Sequence, residues 1–373
     1  MSRLNTETGV AHEVLLVGSV PLRSAEAVFE AVAAKLGRLV SRIPDGDQHG
    51  WVLAAANSFA ENDALEPHKR VKISRDGLEL QLYRLRDGKT SSDLILGPYH
   101  YADTAAASYE QFKRLRSAGV IPPAVRFQVT LPGPGTSAYV VGLPAGDLLP
   151  IARRTLALEI EQIAAAVPAD DLTIQLDIAM EAEHEEYRRR PAAFDTPIHE
   201  EFDWTLEQMA DSAAWLANQV PAGVELGFHV CSIWHHYQAG GQDNAVLVNV
   251  VNALASRVTR PIEYVHIPTI PEHDEADFAP LAQLELGPET KLFLGVIHAS
   301  DGLDGALRRI RAAKTVVSDF GIASFCGLGI PQFAVSGDIP GGLRRGSTPE
   351  TIEQVLEIHR RAATTQLNHG IEA

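Results

Sequence analysis

Eight short apolar runs recur along the chain, each followed by a longer stretch rich in Ala, Leu and Glu at helical spacing. The runs are Glu13–Gly18, Leu39–Ile43, Val125–Leu131, Leu172–Asp177, Val224–Cys231, Ile262–Ile267, Leu292–His298 and Thr315–Ile322. They are continuous rather than alternating, the pattern of parallel strands covered on both faces. Ser24–Leu36 sets Val28, Phe29, Val32 and Leu36 on one helical face behind a serine suited to cap it. Leu148–Ala166 and Ala245–Val258 read the same way, and Thr348–Pro349–Glu350 reads as a cap, a first-position proline and a first-turn acid. Eight strands with intervening helices predict an α/β chain, a (β/α)8 TIM barrel rather than an open doubly wound sheet, spanning 1–373 as one domain. The interval from Asp45 to Val125 exceeds one helix. Residues 52–124 are therefore expected to form an insertion or lid region, with Glu79–Arg86 in a hairpin over one mouth.

Composition narrows the class. With 373 residues, 45% of them apolar, the chain can bury a large core. Its net charge of −16 argues against nucleic acid or an anionic membrane as partner, since phosphate binding needs clustered Lys and Arg. The short basic runs Arg188–Arg190 and Arg344–Arg345 read as solvated faces. No apolar stretch is long enough to span a bilayer, and the N-terminal residues lack a signal-peptide layout. The expectation is a cytoplasmic protein acting on a small molecule, with assembly into a homo-oligomer left open.

The two cysteines carry the candidate chemistry. His229 and Cys231 are two residues apart on one strand and so share a face, and Cys326 closes the run that begins at Thr315. One imidazole and two thiolates form a donor set that suits zinc. The same cysteines also fit apolar filler or a disulfide. Barrel active sites lie at the C-terminal strand ends. Those ends gather Ser19, Asp45, the Leu131–Thr136 loop, Gln175, Asp177, His229, Cys231, His266, His298 and Cys326. Ser19, Asp45, Gln175 and His266 are expected to touch substrate, as is the polar turn Asp45–Trp51. Trp234–His235–His236–Tyr237 reads equally as pocket lining or solvated loop, Glu181–Glu186 as an exposed acidic helix start, and Gly341–Gly342 as a loop.

Several stretches resemble the catalytic C-terminal barrel of cobalamin-independent methionine synthase and its single-barrel relatives, which include epoxyalkane:coenzyme M transferase. They are Phe228–Cys231, Leu294–His298 and Phe325–Gly327, joined by Val14–Ser19, Leu131–Pro134 and Ile174–Asp177. The resemblance implies that His229, Cys231 and Cys326 bind Zn²⁺, that His298 is the catalytic acid and that Asp177 orients the substrate's polar end. Two departures stand out. The family's further zinc ligand, a glutamate at the end of the following strand, is missing from Pro261–Pro268, where His266 is the nearest competent group; and Ile178–Ala179 replaces the family's Glu-Pro after Asp177. The expected activity is zinc-dependent alkyl or methyl transfer involving an activated thiol. The alternative is zinc Lewis-acid chemistry in a lyase or hydrolase.

Overall fold

A computed structural model describes residues 12–72, 79–194, 197–231, 243–329 and 349–365. Trp234–Tyr237, Gly341–Gly342, Arg344–Arg345 and Thr348 lie outside the described residues.

The strands are β1 (Val14–Leu15), β2 (Arg42–Pro44), β3 (Leu65–Lys72), β4 (Glu79–Leu85), β5 (Arg126–Pro132), β6 (Leu172–Ile178), β7 (Glu225–Val230), β8 (Tyr264–Pro268), β9 (Lys291–Ile297) and β10 (Gly321–Ser324). Eight of them form one parallel sheet in the order β1-β10-β9-β8-β7-β6-β5-β2. Parallel bridges Val14↔Val40 and Ser19↔Gly46 join its two ends and close the cylinder. Helices 25–36, 101–117, 145–166, 206–217 and 244–255, the short turns 275–283, and helices 302–314 and 349–364 pack in sequence around it, the last returning to the first. This is a (β/α)8 barrel.

Local rules hold where the sequence marked them. Ser24 caps helix 25–36 by accepting from the Ala27 N–H at 3.2 Å. The eighth strand is a correction: the expected run began at Thr315, but Thr315 caps helix 302–314, whose chain then turns, and pairing starts at Gly321. Helix 101–117 belongs to the barrel's own ring. The extra material before it is helix 52–60 and the antiparallel ribbon β3–β4. The ribbon stands at the C-terminal rim, where Tyr83 N–H donates to the Val140 carbonyl at 2.8 Å and Gly142 N–H to the Tyr83 carbonyl at 2.9 Å.

Because side chains alternate, every second residue of a strand points into the cylinder. At its lower end Arg42 pairs with Glu225 at 3.3 Å and lies over the Tyr264 ring. The next layer is polar: Tyr264 OH donates to Gln175 Oε1 at 2.9 Å, and Gln175 Nε2 donates to Asp177 Oδ1 at 2.8 Å. Gly227 makes room for this layer, because a Cβ there would stand 2.0 Å from the Tyr264 ring. One step up, Asp177, His229 and His266 are register partners on β6, β7 and β8.

Candidate metal centre

His229 and Cys231 reach the top of β7, and the Cys231 N–H continues the ladder by donating to the Ile178 carbonyl at 3.1 Å. Cys326 arrives from the far side of the sheet. The β10–β9 register shifts between Ile322 and Ser324, so that Gly321 faces Phe293 but Ser324 faces Ile297. Such a bulge resets which residues face inward just before Cys326. The result is a cluster in which a ligand nitrogen of His229 and the sulfurs of Cys231 and Cys326 lie within 4.8 Å of one another. It is the only group of three or more potential metal ligands at such spacing among the described residues. His229 and Cys231 are buried and Cys326 is partly exposed, so the cluster opens on one side.

The electrostatics of this corner call for positive charge. A hydrogen bond with Cys326, burial, and the charges of Cys326, Asp177 and Glu183 push the Cys231 thiol well above its usual range. Burial pushes Asp177 up to about 7; a charge on His229 and the Gln175 bond oppose this, while Cys326 and Glu181 reinforce it. Burial, then Asp45, Asp177 and Cys326, raise Asp47 strongly. A divalent cation beside such groups reverses their preference and favours thiolate. The buried imidazole–dithiol donor set fits zinc on chemical grounds.

The other expected residues fall into place differently. His298, just past β9, stacks on Phe325 with ring centroids 5.5 Å apart and 9° between planes, next to Cys326. Asp301 lies close enough to feel its charge and is itself tied to Arg309. Ser19 holds the turn that carries Cys326: its carbonyl accepts the Leu328 N–H at 2.7 Å, and Gly327 packs directly on its side chain. Gln175 is fully enclosed and orients Asp177 from below, away from the mouth. His266 sets Nδ1 2.7 Å from Nδ1 of His229. Asp45 spends both oxygens inside the protein, accepting from Asp47 N–H and Ser108 OH at 2.9 Å each.

The acid of this turn whose charge couples to Asp177 and Cys326 is Asp47, which accepts the Trp51 N–H at 3.0 Å. Its visible signal was the pair of acids two apart, Asp45 and Asp47, in the polar turn. The Glu181–Glu186 stretch is a correction, since its glutamates are buried rather than exposed. Glu181 accepts from Gly135 N–H and Thr136 OH at 2.7 and 2.6 Å, and Glu183 sits 3.0 Å from His199. An acidic helix start packed under the Leu131–Thr136 loop cannot be told from a solvated one by composition.

Fold and site together define a single (β/α)8 barrel with a His–Cys–Cys cluster at its C-terminal mouth. No protein-family profile and no curated protein match the chain. Among solved structures it is similar to a protein of Listeria monocytogenes assigned as a vitamin-B12 independent methionine synthase. The identity is 16%, over 91% of this chain and 86% of that one, with a TM-score of 0.49. It is also similar to a B12-independent methionine synthase from Shewanella sp. W3-18-1, solved with selenomethionine, at 13% identity over 94% and 97%, with a TM-score of 0.48. Among the described residues no helix is long and apolar enough to cross a membrane.

Proposed function

We propose that this chain is a zinc-dependent transferase that moves a methyl or alkyl group to or from a thiol. The observation that carries the reading is the convergence of His229, Cys231 and Cys326 within 4.8 Å at the open end of the barrel. Held by these three residues, zinc would supply a Lewis acid with a position left for substrate, able to ionise a thiol at neutral pH.

The protein's own groups supply the rest. His298, held flat against Phe325, would deliver a proton to the leaving group. Asp177 and Asp47 are buried carboxyl groups whose charges couple, and they suit a polar or cationic end of the substrate. Gln175 fixes Asp177 from below, and the Tyr264 hydroxyl fixes Gln175.

A second reading keeps the metal but gives it an oxygen substrate in a lyase or hydrolase. It is favoured by the end of β8, which reads Ile267–Pro268 with no carboxylate. X-ray absorption of the zinc-loaded protein with a panel of thiols separates the two. A third sulfur in the zinc shell supports thiol transfer, and an unchanged shell with every thiol supports the oxygen chemistry. Elemental analysis comes first: the purified protein is expected to carry one zinc per chain, and Cys326→Ala to carry none. Stoichiometric zinc in Cys326→Ala overturns the assignment.

A further inference from the structure

We propose that His266 is a positioning residue for the metal centre: it fixes the ring orientation and tautomer of His229 so that His229 presents Nε2 to the cation. This role rests on the metal-site reading above and adds a residue to it.

The two histidines are direct register partners on adjacent strands. Their rings lie 4.8 Å apart at 42°, and their Nδ1 atoms are 2.7 Å apart in a fully buried layer. Two imidazole nitrogens at that distance share a single proton, so one ring donates and the other accepts. Only one of the two arrangements makes His229 a ligand. If His266 donates, His229 carries its proton on Nε2 and has no lone pair there. If His229 donates from Nδ1, its Nε2 lone pair is available, and His266 must then carry its own proton on Nε2.

The metal-site reading requires the second arrangement. His266 takes up Nδ1 of His229, which leaves Nε2 as the nitrogen that His229 can turn to the cation. Gly295 admits the arrangement, because a Cβ there would stand 3.1 Å from His266 Nε2. His266 itself stays outside the set of three mutually close donors. Metal-bound histidines ordinarily donate their second N–H to a carboxylate, carbonyl or water. Here a neutral imidazole takes that place.

The test uses the full chain and two variants, His266→Ala and His266→Gln, the second keeping an amide oxygen able to accept from His229. Zinc affinity is measured by competition with a chromophoric chelator, the ligand shell by X-ray absorption, and folding by thermal unfolding of the metal-free proteins. The expected result is a roughly 10–100-fold loss of zinc affinity in His266→Ala, partial recovery in His266→Gln, and a shell of one nitrogen and two sulfurs in all three. Affinity in His266→Ala within about twofold of the parent overturns the role, because a positioning partner acts through affinity. Loss of a nitrogen scatterer in both variants also overturns it, by making His266 a ligand. A parent protein that binds no zinc sinks the metal reading as a whole, which is distinct from either outcome. Should His266→Ala fail to fold, His266→Leu, which keeps the bulk but accepts no hydrogen bond, takes its place: a roughly 10–100-fold loss relative to the parent supports the role, and affinity within about twofold overturns it.

Discussion

Gly295→Ala places one methyl group where three parts of the site converge. The added Cβ would stand 2.6 Å from the Phe325 Cα, 2.9 Å from the Pro268 Cα and 3.1 Å from His266 Nε2. The first two neighbours are backbone, so no side-chain rotation relieves the contact. Carbon atoms pack at about 3.5 Å or more, so the chain at Phe325 must retreat by ~0.9 Å, or β8 must yield on the other side. Overpacking of that kind costs about 1–3 kcal/mol, which for a chain of this size lowers Tm by roughly 1–4 °C. Phe325 precedes Cys326, so the retreat carries the sulfur with it. Metal–ligand distances tolerate only about ±0.2 Å, and a displaced sulfur is expected to weaken zinc binding by on the order of tenfold or more. Urea unfolding of the metal-free and zinc-loaded proteins reads the two effects separately. The variant is expected to lose stability in both states and to lose more in the zinc-loaded one. A Gly295→Ala protein within about 0.5 kcal/mol of the parent in both states would refute the close approach of β8, β9 and the Cys326 segment.

Three further outcomes follow. His359 is fully buried, and burial pushes its ring down to about 4 from 6.5, with the Val355 carbonyl bond opposing. Its folded-state value is depressed, so its stabilisation is complete above pH 6.5 and is lost as pH falls toward about 4. At ~1.4 kcal/mol per unit this amounts to about 2 kcal/mol by pH 5. His359→Gln is expected to flatten the stability profile between pH 6.5 and 5 by that amount, and parallel profiles for parent and variant would contradict the linkage. Tyr264→Phe removes the 2.9 Å bond to Gln175 in a fully enclosed layer and is expected to cost about 1–2 kcal/mol while leaving zinc content unchanged; loss of zinc would mean that this layer supports the metal directly. His298→Ala is expected to keep its zinc and lose about 10²–10⁴ in turnover, and a variant without metal would remove His298 from the acid role.

Much of this architecture was legible from pattern alone because parallel barrel strands are covered on both faces, which writes each as an unbroken apolar run. The errors came where a neighbour rather than the local sequence sets the outcome. Val316 and Val317 look like strand, but Thr315 has already closed the preceding helix and the chain turns before pairing. Asp45 and Asp47 are equivalent in composition. The turn gives Asp45 a donor on each oxygen, while Asp47 meets Trp51 N–H and His49 on Oδ1 alone, and its charge couples to Asp177 and Cys326.

The sequence by itself determined the number of barrel strands, the pairing of His229 with Cys231 on one strand face, and the residues available at the strand ends. Those features follow from periodicity and covalent spacing, which are local. Only the tertiary structure decided that Cys326, 95 positions beyond Cys231, reaches the same corner, and that His266 turns to the other imidazole. Both depend on barrel closure, on a register shift in β10 and on the space left by a single glycine. Contacts between segments distant along the chain are decided by packing geometry, which no local pattern encodes.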